Sequence, residues 1–334
     1  MQIILYLCNM NRTQQPLVTF IITYYNLPVQ MLCECIDSIL ALSLKDTERE
    51  IIVIDDGSDV SPMNGLIQYA NDIIYIRQNN QGVSVARNIA FQIAHGTYIQ
   101  ILDGDDFLLK APYEYCLDII RKDNDLDVLL FNFTHSVQND DSNYNYTEKT
   151  SGITYMNHHN IRASVCCILF RQSVRSQLIF TPGIQYGEDE EFTPQLLLRA
   201  ETVIATNAKA YYYRKRASSV VHQHNEHSHS KRLDDTLQVI LHLNQIADRL
   251  PNNDQLSLQR RVAQLTMDYL YNIIVLTHSR TLLNERIKTL YDKGLFPLPN
   301  RDYSQKYVWF RRMINTRLGR AILLNTLPLL KRER

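Results

Sequence analysis

Three short apolar runs in the first hundred or so residues break off in the same way, each into acids, amides and hydroxyls. Leu17-Val18-Thr19-Phe20-Ile21-Ile22 stops at Thr23-Tyr24-Tyr25-Asn26, and Glu50-Ile51-Ile52-Val53-Ile54 stops at Asp55-Asp56-Gly57-Ser58-Asp59. Ile99-Gln100-Ile101-Leu102 stops at Asp103-Gly104-Asp105-Asp106. β-Branched runs of this length suit strands buried on both faces of a parallel sheet. Between them, Met31, Leu32, Cys35, Ile36, Ile39 and Leu40 recur at helical spacing behind Pro28, which suits a first helical turn. A helix over 62–70, a strand over 73–77 and a helix opening at Asn80-Gln81-Gly82-Val83-Ser84-Val85-Ala86-Arg87-Asn88 continue the alternation. That rhythm predicts an α/β fold with right-handed crossovers. In open α/β sheets ligands bind beyond the carboxyl ends of the strands, so three polar clusters at such ends mark one rim as a site.

The acidic turn is the sharpest of the three. Carboxylates placed so close together repel unless a divalent cation sits among them, and hard oxygen ligands suit Mg2+ or Mn2+. Asp and Gly are also ordinary turn residues, so the tetrad alone reads as well as an acidic surface turn. Further along, the pattern predicts a helix over 111–122, a strand over 127–134 and a polar hairpin or loop over 138–146. Mixed short helical and extended pieces follow over 153–179. Tyr186-Gly187-Glu188-Asp189-Glu190-Glu191-Phe192 opens a helix whose acids the helix dipole favours whatever their function. Two short strands are expected over 202–206 and 210–213. The basic, hydroxyl-rich loop Arg214-Lys215-Arg216-Ala217-Ser218-Ser219-Val220-Val221-His222 after them suits phosphate. His222, His224, His227 and His229 have neither a cysteine nor a helical frame to make a dedicated zinc site.

Helical periodicity fills the rest, over 231–250, 254–279, 282–292, 307–315 and 317–330. With 334 residues the chain is long enough for a large domain and an appendage. The expected division is an N-terminal extension over 1–15, a main domain over 16–228 and a helical region over 229–334. Basic and acidic side chains both number 35, which provides no global field for nucleic acid. Six cysteines without paired spacing point to a reducing compartment, and the adjacent Cys166 and Cys167 read as small core hydrophobes. Met1 to Cys8 has no basic flank or small-residue cleavage site, so no signal peptide is expected, and Met10 offers an alternative start. No run reaches the roughly eighteen apolar residues a membrane span needs. The tail sets Arg311, Arg312, Arg317, Arg320, Lys331, Arg332 and Arg334 among Trp309, Phe310 and a series of leucines. Such a helix lies on an anionic membrane surface or docks on its own domain with the arginines in water.

Taken together, the strand-end clusters, the Asn80–Asn88 segment and the Gly187–Phe192 segment resemble the inverting family 2 glycosyltransferases of GT-A fold that make bacterial surface polysaccharides. The resemblance covers roughly residues 17–222. It implies a GT-A-type nucleotide-sugar-binding domain with a mostly parallel central sheet, followed by an α-helical C-terminal region. Carried over residue by residue, it implies that Thr23, Tyr25, Asn26 and Asp56 hold the base, usually uracil. Arg87 would lie near the base and diphosphate, Asp103 at the ribose and beside the metal, and Asp105 on the Mn2+ or Mg2+ that bridges the phosphates. Arg214, Arg216 and Ser219 would close over the diphosphate, and His222 would join the metal shell. Asp189 matches the general base, with Glu188 beside it near the acceptor. The partners implied are a UDP-sugar donor and a saccharide or polyprenyl-linked glycan acceptor, met in the cytoplasm at the inner face of the membrane. The chemistry agrees: a leaving nucleoside diphosphate needs cationic stabilisation, and one base without a protein nucleophile gives inversion. Two rivals are a sugar-nucleotide pyrophosphorylase and a degenerate scaffold that only binds sugar nucleotide. No Gly-rich loop with a following basic residue near the first strand supports the former, and intact Asp56, Asp105 and Asp189 oppose the latter.

Overall fold

The apolar runs form the strands expected of them. The computed structural model describes residues 4–6, 15–137, 143–216 and 226–331. Its elements begin β1 (Ile4–Tyr6), β2 (Val18–Tyr24), α1 (Val29–Leu40), β3 (Arg49–Asp55), α2 (Met63–Leu66), β4 (Ile73–Arg77), α3 (Val83–Ile93) and β5 (Tyr98–Asp103). They continue through β6 (Phe107–Leu108), α4 (Lys110–Lys122), β7 (Val128–Thr134), α5 (Gly152–His158), β8 (Ile168–Arg171), α6 (Gln172–Arg175), α7 (Glu188–Arg199) and β9 (Val203–Tyr212). The described residues end with α8 (Glu226–Ala247), α9 (Asn252–Thr277), α10 (Arg280–Asp292), α11 (Gln305–Ile314) and α12 (Arg317–Lys331). The chain divides into two units, residues 1–222 and 223–334.

Among the described residues all nine strands belong to one sheet, in the order β1-β4-β3-β2-β5-β8-β7-β9-β6. β2 lies between β3 and β5, parallel to both, and β4 extends the parallel ladder beyond β3. The sheet is therefore parallel where the three polar clusters end, so Thr23, Asp55 and Asp103 emerge at one rim. β2 is buried along its whole length, and only the first residue of β3 and the last of β5 are less than fully covered. This burial explains why their sequences are continuously apolar rather than alternating. Beyond β5 the pairing changes: β8 is antiparallel to both β5 and β7, and β9 returns to parallel beside β7.

Four elements differ from the periodicity. The segment read as an N-terminal extension contributes β1, an edge strand antiparallel to β4. The helix over 62–70 shortens to α2 and a 3-10 turn over Ile67–Tyr69. Its Gly65 weakens the helix where an added Cβ would lie 2.5 Å from the Val29 side chain. The two short strands over 202–213 are one, because Thr206, Ala208 and Ala210 face inward while Asn207 and Lys209 face out, so the polar residues keep the period of two. The two-residue strand β6 also went unforeseen. The polar stretch over 138–146 falls partly outside the described residues.

Gly57 and Gly152 are among the glycines fixed by close approach. Gly57 has φ 78°, and a Cβ there would stand 2.6 Å from the Asn80 backbone nitrogen. Gly152, at the start of α5, sits so close to α7 that a Cβ would overlap the Leu197 carbonyl oxygen. In the second unit, α9 is the central helix, with Leu258, Leu265, Leu270, Ile273 and Ile274 buried. α11 docks on it through the Tyr307 hydroxyl, which donates to Asp268 at 2.8 Å, and through the Tyr271–Phe310 ring contact.

Gly152→Ala is expected to destabilise the protein by about 1–3 kcal/mol, the usual range for overpacking a tight contact. Denaturant unfolding of the full chain checks it, and an unchanged midpoint would show that α5 and α7 can separate freely.

Candidate active site

The rim is built by loops that tie the strand ends together. Asn26 adopts φ 48° just past β2, the left-handed region that Asn tolerates. From there its backbone N–H donates to Ser58 Oγ at 2.9 Å, and its side-chain amide exchanges two bonds with Asp59 at 3.0 and 2.8 Å. Asn26 thus clamps the β2 loop to the β3 loop, and neighbouring Tyr25 is left 46% exposed at the rim. Asp55 is fully buried and accepts from Ser58 N–H, the Tyr75 hydroxyl and Arg77. Asp56 is nearly as buried: Oδ1 accepts from Gln78 Nε2 and Gln81 N–H, and Oδ2 from Gly82 N–H at 2.8 Å. Each carboxylate oxygen has two acceptor positions, so Oδ2 keeps one for a further donor.

The centre of the rim is Arg87. It sits on α3, 2% exposed, with its guanidinium carbon 5.0 Å from the Phe180 ring centroid. Nη1 reaches Asp189 at 3.0 Å and Glu188 at 3.2 Å, while Nη2 reaches Asp103 at 3.3 Å. Burial opposes its charge, but attraction from Asp189, then Asp103 and Glu188, more than offsets it and raises the Arg87 pKa. Phe180 belongs to a packed group in which it stacks on Phe192 at 4.1 Å and on Phe91 at 5.8 Å. Asn88 locks that floor by exchanging two bonds with the Phe180 backbone, at 2.8 and 2.9 Å.

The acids take separate tasks. Asp103 also lies within 3.5 Å of Thr23 Oγ1 and accepts from the Cys166 thiol at 3.5 Å. Cys166 is therefore buried, as its apolar context implies, yet its sulfur faces the site. Asp105 pairs with Arg216 Nε at 2.6 Å; burial and then Asp103 raise its pKa, with Arg216 opposing. Asp106 accepts from the Tyr211 hydroxyl and from Arg214 N–H, each at 2.7 Å, and burial followed by Asp103 pushes it up to about 8. Asp106 fastens the acidic loop to the end of β9.

Asp189 accepts from Val165 N–H at 3.1 Å as well as from Arg87, and burial raises its pKa while Arg87 opposes. Burial and then Asp189 push Glu188 up to about 7.

Of the residues singled out in sequence, the structure brings Thr23, Arg87, Asp103, Glu188 and Asp189 into one network. Arg214 stands beside the acidic loop, its Nε donating to the Asp105 carbonyl at 2.8 Å and its far end paired with Glu34. Ser219 and His222 lie outside the described residues. Cys166, Phe180, Tyr211 and Gln78 were missed, since a thiol, two rings and an amide in apolar or turn contexts carry no local signal of a site. Among the described residues no three metal-ligating side chains converge. Asp103 and Asp105 still fit a hard cation whose other ligands come from phosphate and water, the usual manner of Mg2+.

Residues 19–178, just under half the chain, match the model of glycosyl transferase family 2. Over these residues the chain is similar to glycosyl transferase family 2. The uncharacterized glycosyltransferase EpsJ of Bacillus subtilis is 30% identical over 220 residues, which cover 61% of this chain and 63% of EpsJ. The chain thus spans less than two thirds of that relative's length. Among solved structures, S. aureus TarS 1–349 in complex with UDP-GlcNAc aligns with TM-score 0.65 at 16% identity, covering 95% of this chain and 91% of that one. The Pyrobaculum calidifontis mannosyltransferase PcManGT, in complex with GDP-Man and Mn2+, aligns with TM-score 0.53 at 13% identity, covering 96% and 89%. At such identities the likeness speaks for the fold alone, and it agrees with a GT-A-type fold followed by a helical region.

The Glu188 carboxyl yields a stability test. Its pKa is raised on folding, so between about 4.5 and about 7 the folded state binds more protons than the unfolded chain. That contribution is present in acid and is lost as pH rises through the window. Glu188→Gln removes it, so the melting temperature of the variant relative to wild type should be more favourable at pH 8 than at pH 5. A difference independent of pH would place the Glu188 pKa near its ordinary value.

Proposed function

We propose that this chain transfers a sugar from a nucleotide sugar, a UDP-sugar, to a saccharide or polyprenyl-linked glycan acceptor, with inversion, in surface-polysaccharide synthesis. The observation that carries the reading is the Arg87 network. One buried guanidinium joins the strand-end acid Asp103 to the helix-start acids Glu188 and Asp189, so groups suited to a donor adjoin groups suited to an acceptor. TarS with UDP-GlcNAc and PcManGT with GDP-Man support a nucleotide-sugar donor.

In this reading Tyr25 offers its exposed ring to the base, and Asp56 offers its remaining acceptor position to a base N–H. Thr23 and Asn26 shape that pocket from the end of β2. Asp103 and Asp105 would hold Mn2+ or Mg2+, which neutralises charge on the leaving diphosphate when bound. Arg214 and Arg216 complete the cationic side, where Ser219 would add a hydroxyl to the diphosphate, and His222 would join the metal ligands. Arg216 must then exchange Asp105 for phosphate as the donor enters. Asp189 takes the proton of the attacking hydroxyl, which requires the ionised carboxylate. Arg87 supports that state, since its charge opposes the effect of burial. Glu188 lies beside the acceptor.

Asp189→Asn should leave UDP affinity intact while turnover falls by about 10²- to 10⁴-fold. UDP titrated calorimetrically should bind tightly with Mn2+ and weakly with EDTA or in Asp105→Ala. Wild-type turnover in Asp189→Asn would move the base elsewhere, and equal UDP affinity under all conditions would remove the metal.

The tail supports a peripheral membrane contact. α12 turns Leu323 and Leu327 inward, while Leu318, Ile322 and Leu329 are 75%, 42% and 61% exposed. Trp309 is 52% exposed on α11, and Arg312 and Arg317 are exposed nearby in sequence. Among the described residues no helix is long and apolar enough to cross a membrane. An outward apolar stripe with cations suits the interface of an anionic bilayer, where each basic residue adds about 1 kcal/mol. The full chain should float with anionic liposomes at low salt, and Leu318→Glu with Leu329→Glu should abolish this. Equal flotation of the double variant would assign the tail a purely structural role.

A further inference from the structure

The parallel ladder between β7 and β9 loses register on both sides of Asn132, most on the side of Leu130. Leu130 pairs with Ala205, but Asn132 pairs with Lys209, so Thr206, Asn207 and Ala208 of β9 stand against Phe131 alone. Irregularities of this kind open a sheet and re-aim side chains, and they recur next to active sites. Here the opening forms a cavity of about 210 Å3, lined by Asn132, Tyr155, Asn160, Arg162, Cys167 and Thr206 among others.

The cavity adjoins the candidate active site through one turn, Val165–Cys167. Val165 N–H donates to Asp189, the Cys166 thiol donates to Asp103, and Cys167 lines the cavity. A drug-sized ligand site occupies about 300–1,000 Å3, so this space is too small for a nucleotide sugar and suits a single ring. Its lining offers amides, a hydroxyl and a phenol, the groups that bind sugar hydroxyls. Tyr155 is held against His159 with ring centroids 4.4 Å apart. Arg162 is the cation of this lining. Its guanidinium is 5.0 Å from the Phe133 ring centroid, and Nη1 is 3.4 Å from Asn132 Oδ1. Arg87, Arg214 and Arg216 each pair with a carboxylate, whereas among the described residues none pairs with Arg162. A guanidinium without a counterion beside a polar cavity matches a carboxylate or a phosphate.

We propose that this cavity receives an acceptor sugar ring carrying a carboxylate or phosphate, which Arg162 selects. The word acceptor rests on the glycosyltransferase reading; the binding site does not.

Ligand-observed NMR titration of the full chain tests it with three probes: methyl β-glucuronoside, methyl β-glucoside 6-phosphate and neutral methyl β-glucoside. At least one anionic probe should bind about tenfold more tightly than the neutral one, and Arg162→Ala should abolish that preference. The better anionic arm identifies carboxylate or phosphate as the ligand group. UDP affinity should be the same in wild type and Arg162→Ala. No anionic preference, or a preference that survives Arg162→Ala, overturns the proposal. A chain that binds the anionic probe through Arg162 but never UDP keeps the cavity and removes the donor reading.

Discussion

One buried guanidinium holds the rim together. Arg87 has almost no access to water, and its charge is tolerable there only because three carboxylates surround it. The dependence runs both ways, since Glu188 and Asp189 are themselves covered and would shed charge without it. Beneath lies the Phe91, Phe180 and Phe192 stack, so the network rests on a surface that offers no competing hydrogen bonds. The segments that meet there come from α3, β5 and the start of α7. Their relative placement, more than any one side chain, determines what the site does.

The sheet delivers those segments by simple means. Parallel strands β2, β3 and β5 end at one edge, and the residues after them are short, polar and bonded to one another. Asn26 with Asp59, Asp56 with Gly82, and Asp106 with Tyr211 are three such ties. Each uses an acid or amide that looked available for a ligand in the sequence. Part of the polar character of the rim is thus structural, whereas Asp103 and Asp189 converge on buried Arg87, Asp105 pairs with Arg216, and the Tyr25 ring stays exposed.

The α/β class and the rim were legible because apolar runs and the turns that end them are local signals. The GT-A architecture followed from the order of five short motifs. What the sequence hid was partnership at a distance. Arg87 and Asp189 are separated by about a hundred residues, and no periodicity links them. Cys166 read as a core hydrophobe because its neighbours are apolar, although its thiol lies on Asp103. β9 read as two strands because Thr206 and Asn207 break its apolar run, yet alternate exposure keeps them in one strand. β1 was hidden for the opposite reason: three residues are too few to announce a strand, and only the free edge of β4 recruits them.

The turn over Val165–Cys167 sends three consecutive residues to three different surroundings. Substitution at any one of them changes one neighbour. Insertion or deletion of a residue would instead rotate all three contacts at once, uncoupling Asp189 and Asp103 from their donors together. Chain length is therefore frozen at this turn, whereas the lining on its far side, at Tyr155, Asn160 and Arg162, is free to vary in composition without disturbing the acids. A protein built this way can drift in what it recognises on one flank while its central chemistry stays in place.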